Sequence, residues 1–213
     1  MTSKQLKLDI VSDIICPWCW IGKRNLDIAI SRLGPDFNVT VQWHPFLLRP
    51  QMPREGVPKL TPAASQPPDD PNNPRVGSRL RSAGAAAGID FTGKCNTTPN
   101  TILGHRLLHY ADKSAGNATQ HTLQELIFQG YFTDGLVPDI SNLVDWADKA
   151  GLNKEAVREY LLSDEDEQRV VDEAIMYSQD GVNGVPTFYL NGEELCSGGQ
   201  SPDFFENALK QAS

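Results

Sequence analysis

Cys16 and Cys19 stand at C-x-x-C spacing, with Pro17 and Trp18 between them. At the start of a helix, such a pair puts the first sulfur beside backbone N–H groups that have no intrahelical partner. Those donors and the positive end of the helix dipole favour a thiolate over a thiol. The thiolate is the nucleophile of disulfide exchange, and its pKa at such places falls from about 8.5 to roughly 3.5–7.5. A second cysteine one turn along can reach back and close a disulfide. Pro17 has no N–H to leave unpaired, and its φ is pre-set for a first turn. Trp18 shields one side and offers apolar surface to a partner. The same spacing also serves zinc half-sites, which need two further ligands. There is no second C-x-x-C, but His105 and His109, at i and i+4, would share a helix face and could complete a Cys₂His₂ set.

The flanking pattern says what positions the pair. Leu6, Leu8 and Ile10 alternate with Lys7 and Asp9, the period of a strand. After the cysteines, Gly22, Leu26, Ala29, Ile30 and Leu33 fall on one helical stripe, which Gly34-Pro35 ends. Val39, Val41 and Trp43 then alternate with Thr40, Gln42 and His44. The opening is β-α-β with the cysteines at the strand-to-helix turn, a setting that favours redox chemistry over zinc.

From Pro50 to Pro74 eight prolines occur, which predicts a long loop. A helical block follows. Thr98-Pro99 is expected to cap a helix whose stripe is Leu103, Leu107, Tyr110 and Ala111, ending near Gly116. Further helices are expected over 119–130, 141–150 and 153–162. Another is expected from near Ser163, where Asp164 to Glu167 crowd the first turn, with Val170, Val171, Ala174, Ile175 and Ser178 as its stripe. Strand character returns at Val185–Leu190. Asn191-Gly192 makes a hairpin to Glu193–Cys196, and Ser201-Pro202-Asp203 caps a last helix. Pro186 heads a strand, where it cannot donate to the ladder. A cis bond would leave the Val185 backbone facing the cysteines, free to pair with an extended substrate. A trans proline on an edge strand fits the spacing equally well.

Composition narrows the class. The chain has 213 residues and a formal net charge of −8, so it lacks the basic face that a general nucleic-acid or anionic-membrane binder needs. No apolar run suits a secretory signal or a membrane span, and a cytoplasmic location is expected. A chain this size with four cysteines and no visible signal does not need a disulfide scaffold, and a close pair in it is more often catalytic or metal-binding than structural. Cys196 reads as a small core residue on its strand. Cys95, in Gly-Lys-Cys-Asn, reads as an exposed loop thiol. Trp20, Trp43 and Trp146 read as core.

Four segments together resemble a known family. Ser-Asp-Ile-Ile-Cys-Pro-Trp-Cys-Trp-Ile-Gly-Lys-Arg, Asn-Thr-Ile-Leu-Gly-His-Arg-Leu-Leu-His, Gly-Tyr-Phe-Thr-Asp-Gly and Gly-Val-Pro-Thr-Phe are similar, in that order, to segments of the DsbA family and its FrnE-like branch. The resemblance runs from about residue 7 to 210. It implies an α/β fold class: a thioredoxin-like domain from residues 1–48 and 182–213, with a proline-rich loop and a large all-helical insertion over 49–181. It implies a cis Pro186, Cys16 as nucleophile and Cys19 as resolving cysteine. Pro17, Trp18, Val185 and Pro186 would then contact substrate. His105 falls in the second segment and is a candidate to face the site, against a reading as a satisfied, partly buried histidine.

The implied activity is thiol–disulfide exchange with protein or small-molecule disulfides. It requires no cofactor, and glutathione is a candidate co-substrate. Partners would be a disulfide-containing protein or peptide, or a small thiol, with the chain a monomer or homodimer. The same superfamily holds kappa-class glutathione transferases and 2-hydroxychromene-2-carboxylate isomerases, which carry serine at the nucleophile position. A glutathione-dependent transferase or isomerase is therefore the alternative. Cys16 with Cys19 favours dithiol chemistry.

Overall fold

In the computed structural model, which describes residues 3–59 and 76–212, strand β1 (Lys4–Ser12) buries Leu6, Leu8 and Ile10 and ends at the Cys turn. Helix α1 (Pro17–Ser31) crosses back, and β2 (Phe37–Pro45) lies parallel to β1, Lys4 opposite Phe37 and Ser12 opposite Pro45. Gly22, Leu26 and Ala29 of the expected stripe are buried.

Among its described residues the proline-rich stretch holds one piece of regular structure. Val57–Pro58 (β3) pairs antiparallel with Thr97–Thr98 (β4), flanking α2 (Ser78–Ala86). The loop expected over 60–74 lies outside the described residues. Thr98 is consequently committed to β4 and does not cap the next helix. Helix α3 (Ile102–Ala115) starts later, after the Asn100 side chain has accepted a bond from the Ile102 N–H at 2.9 Å.

Then come α4 (Asn117–Gln129), running into a π-helical turn at Gly130–Asp134, and α5 (Ile140–Lys149), α6 (Lys154–Leu162) and α7 (Glu167–Gln179). Helix α7 does not begin near Ser163. The acidic run forms a turn there instead: Ser163 Oγ accepts from the Glu165 N–H, and Asp166 takes a left-handed φ of 58°. On α7, Val170 and Ala174 are buried, but Ile175 is 46% exposed rather than part of a core stripe. Helices α3 to α6 share a core that includes Leu107, Leu123, Ile127, Leu143 and Val157.

Chain return completes the sheet. β5 (Thr187–Leu190) pairs antiparallel with β1, and β6 (Glu193–Ser197) with β5, giving the order β2-β1-β5-β6. At the hairpin Asn191 and Gly192 have φ of 52° and 90°, both left-handed, which this pair of residues tolerates best. Ser201 Oγ caps α8 (Pro202–Gln211) by accepting from the Phe204 N–H. Leu8, Ile10, Leu26, Phe188 and Phe205 form the core between the sheet and helices α1 and α8.

The free edge of β2 is closed by a side chain. Gln120 of α4 accepts from the Trp43 N–H at 2.9 Å and donates to the Trp43 carbonyl at 3.0 Å, pairing as a neighbouring strand would. Among the described residues no helix is long and apolar enough to cross a membrane.

Candidate active site

Cys16 is the N-cap of α1, with extended backbone (φ −90°, ψ 111°) and Pro17 at the first helical position. The turn is set from both sides: the Cys16 N–H donates to the Asp13 carbonyl at 3.0 Å, and the Cys19 N–H to the Cys16 carbonyl at 3.1 Å. Across from it the Cys16 thiol donates to the Val185 carbonyl at 3.4 Å. The Val185–Pro186 bond is cis. The head of β5 can come this close because residue 22 is glycine. A Cβ there would lie 3.0 Å from Phe188 and 3.2 Å from Pro186.

The two sulfurs sit in different environments. Hydrogen bonding from the Cys19 thiol holds Cys16 below the ordinary thiol range, helped by the Cys19 and Trp18 N–H groups and opposed by burial and by Asp13. Cys19 has no exposed surface, and burial, reinforced by its neighbour Cys16, pushes it well above that range. The arrangement favours a thiolate at the helix start and a protonated thiol behind it. All four cysteines are free.

Side chains from two other helices frame the pair. The Arg79 guanidinium of α2 lies 5.4 Å over the half-buried Trp18 ring. Trp20 is buried, stacked with Phe128 and Phe132 and edge-on to Phe91, and its Nε1 donates to Glu125 of α4 at 3.0 Å. Lys23, also buried, pairs with Asp27 at 2.8 Å and Glu125 at 3.1 Å.

The DSBA-like thioredoxin domain family matches residues 7–210. The chain belongs to this family. Membership makes it an enzyme of the disulfide oxidoreductase/isomerase class. A curated relative, the uncharacterized protein YwbO of Bacillus subtilis (strain 168), is 27% identical over 207 residues, which are 95% of this chain and 94% of that one. Among solved structures, a probable DsbA oxidoreductase from Streptomyces coelicolor is 28% identical with a TM-score of 0.79, covering 97% of this chain and 89% of that one. The cytosolic disulfide reductase DsbM from Pseudomonas aeruginosa, solved with GSH, shares the fold at 18% identity and a TM-score of 0.66, covering 96% and 97% of the two chains.

On this DSBA-like scaffold Cys16, Pro17, Trp18, Cys19, Val185 and Pro186 converge at one place, where the β1–α1 turn meets the head of β5. The two histidines offered as zinc ligands go elsewhere. His105 Nε2 is 3.4 Å from Asp13 Oδ1, and His109 Nε2 is 3.6 Å from Asp166 Oδ2. Among the described residues no group of three or more His, Cys, Asp or Glu is placed to hold a metal ion. Cys95 is buried, not exposed, and its thiol donates to the Thr97 carbonyl at 3.4 Å. Cys196 is half-buried against the sheet core, and burial pushes its thiol up to about 12.

Sequence reasoning did not single out Asp13 or Arg79. Asp13 has no exposed surface, and its carboxylate accepts from the Leu48 N–H at 2.8 Å and the Ile15 N–H at 3.4 Å. An acidic residue directly after an apolar strand and three before Cys16 was the available signal. Arg79 follows the proline-rich stretch, and nothing local ties it to Trp18.

Proposed function

We propose that this chain is a thiol–disulfide oxidoreductase working through Cys16-Pro17-Trp18-Cys19 on protein, peptide or small-molecule disulfides. One observation supports this most: Cys16 caps α1 with its sulfur at the Val185 carbonyl, while Cys19 lies fully buried behind it. The Cys16 thiolate attacks one sulfur of a client disulfide, and the other leaves as a thiolate that takes up a proton. Cys19 then gives up its proton and attacks Cys16. The client's second sulfur leaves, and the Cys16–Cys19 disulfide holds the two electrons' worth of oxidation.

An extended client aligned along the head of β5 could pair with the Val185 backbone while Trp18 covers its apolar side. A small thiol such as glutathione is the co-substrate we propose for regenerating the dithiol. The cytoplasm, where such thiols keep cysteines reduced, is the setting we propose. The DsbM relative is described as cytosolic.

The test is turnover of a fluorogenic peptide disulfide with glutathione as reductant. Wild type should turn over and Cys16→Ser should not. With glutathione left out, Cys19→Ser should stop after one attack, with the peptide held covalently on Cys16. Turnover surviving in Cys16→Ser, or peptide captured on Cys95 or Cys196, would overturn the reading.

A further inference from the structure

Two arginines at the Cys turn stand apart from other cations of this acidic chain, whose formal net charge is −8. Elsewhere, Arg24 pairs with Glu125, Arg32 with Asp203 and Glu206, and Lys154 with Asp145 and Asp148. Arg79 is exposed, its guanidinium lies 5.4 Å over the Trp18 ring, and among the described residues no carboxylate pairs with it. Arg49 is exposed too, without an ion pair among the described residues. It follows Leu48, whose N–H donates to Asp13 three residues before Cys16. The Asp13 carboxylate is itself buried and occupied by the Leu48 and Ile15 N–H groups.

Arg79 is presented by a helix that is pinned to the site. Leu80 and Ala83 of α2 pack on the buried cluster that holds Cys16, Cys19 and Trp20, and Trp18 and Val185 pack on the same cluster. Gly84 brings α2 close, since a Cβ there would lie 2.5 Å from the Phe91 ring, which stands edge-on to Trp20. A guanidinium that stacks through its face keeps its N–H donors at the edge. Those donors match a carboxylate in two parallel bonds. Stacking also limits the rotamer freedom that a long exposed side chain loses when it binds.

We propose that Arg79 selects the client by charge: it takes a side-chain carboxylate close in sequence to the client cysteine, so that the preferred clients are peptide disulfides flanked by Asp or Glu. The inference rests on the reading of Cys16 as nucleophile given above. Trp18 is the surface beside that sulfur, and an acidic side chain lying on it meets the edge of the guanidinium. Arg49 adds positive charge at the same turn and steers such clients toward it. Arg79 takes no part in the bond changes, in which the dithiol gives up two electrons and the client disulfide takes up two. Its effect is a preference among clients.

Stopped-flow single turnover of the reduced protein with fluorogenic peptide disulfides, without glutathione, reads the second-order rate constant directly. The peptides have blocked ends and differ only in whether Glu, Gln or Lys flanks the cysteine. Wild type should react with the Glu peptide about fivefold faster than with the Gln peptide, the upper end for an exposed ion pair, and more slowly still with the Lys peptide. Sodium chloride at about 0.5 M should shrink these differences. Arg79→Gln should remove most of the preference, and Arg79→Glu should invert it in favour of the Lys peptide. Arg79→Lys, which keeps the charge without the planar stack, should fall between wild type and Arg79→Gln.

Equal rate constants for the peptides in wild type would overturn the proposal, as would a preference that persists in Arg79→Glu. Equal slowing with every peptide in Arg79→Gln, which is what a purely packing role gives, would overturn it as well. Oxidised glutathione carries carboxylates of its own and is run alongside. A dependence on Arg79 seen with it and not with the peptides would overturn the assignment to peptide clients. Absence of reaction at Cys16 with any of these disulfides would instead defeat the parent reading, and this inference with it.

Discussion

At the scale of residues, two neighbouring cysteines differ because their surroundings do. Cys16 is at the cap, with amide donors and a thiol aimed at it; Cys19, one turn on, is sealed. Helix α1, which the turn begins, is tied to α4 by a cluster of polar contacts around Glu125. Glu125 receives Trp20 Nε1, Arg24 Nε and the buried ammonium of Lys23. Glu125→Ala would leave the indole N–H unpaired and Lys23 with Asp27 alone. Breaking a buried pair costs about 3–5 kcal/mol when no partner remains. Because Asp27 stays, we expect a loss of about 2 kcal/mol, read as a lower urea midpoint with unchanged slope. A midpoint equal to wild type would show that α1 does not depend on this contact.

At the scale of elements, the sequence was legible wherever one face of an element is buried. The alternation of Leu6, Leu8 and Ile10 and the stripe Gly22–Leu26–Ala29 announced β1 and α1, and their junction placed Cys16 at a cap. Asn191-Gly192 and Ser201-Pro202 marked a turn and a cap by local stereochemistry that needs no tertiary partner. Legibility failed where a partner far along the chain decides. Thr98 has the chemistry of a helix cap but pairs with Val57, and a two-residue strand carries no periodicity. The acidic run at 164–167 suits a helix N-terminus, yet a Ser163-capped turn takes most of it first. Within the site the two cysteines could be read directly. Asp13, Lys23 and Arg79 could not, because a charged residue's burial or stacking depends on what faces it: His105 of α3, Glu125 of α4 and Trp18 of α1 respectively.

At the scale of the molecule, the helical block is tied to the sheet by polar contacts whose strength depends on pH. His44 of β2 places Nε2 2.9 Å from Asp9 of β1 and Nδ1 2.7 Å from Glu173 of α7. Burial works against the imidazolium, but the two carboxylates outweigh it and raise His44 above its ordinary 6.5. Burial likewise disfavours the carboxylates, yet His44 draws Asp9 below 3.8 and Glu173 below 4.5. A raised histidine gives stability that is full below 6.5 and is lost as pH rises through its folded value. Lowered carboxylates give stability that is full above 4.5 and is lost as pH falls through theirs. The cluster therefore contributes most between 4.5 and 6.5. In urea unfolding of the reduced protein, wild type should lose stability above that window faster than His44→Gln. Parallel curves for the two would refute the linkage.

The reactivity of Cys16 is tested most directly by competitive alkylation of the fully reduced protein with iodoacetamide at about pH 5.5, where an ordinary thiol is almost entirely protonated. Peptide mapping at low conversion should find the label on Cys16, with Cys19, Cys95 and Cys196 modified only after denaturation. Label appearing first on Cys95 or Cys196, or on Cys16 no faster than in the unfolded chain, would contradict it.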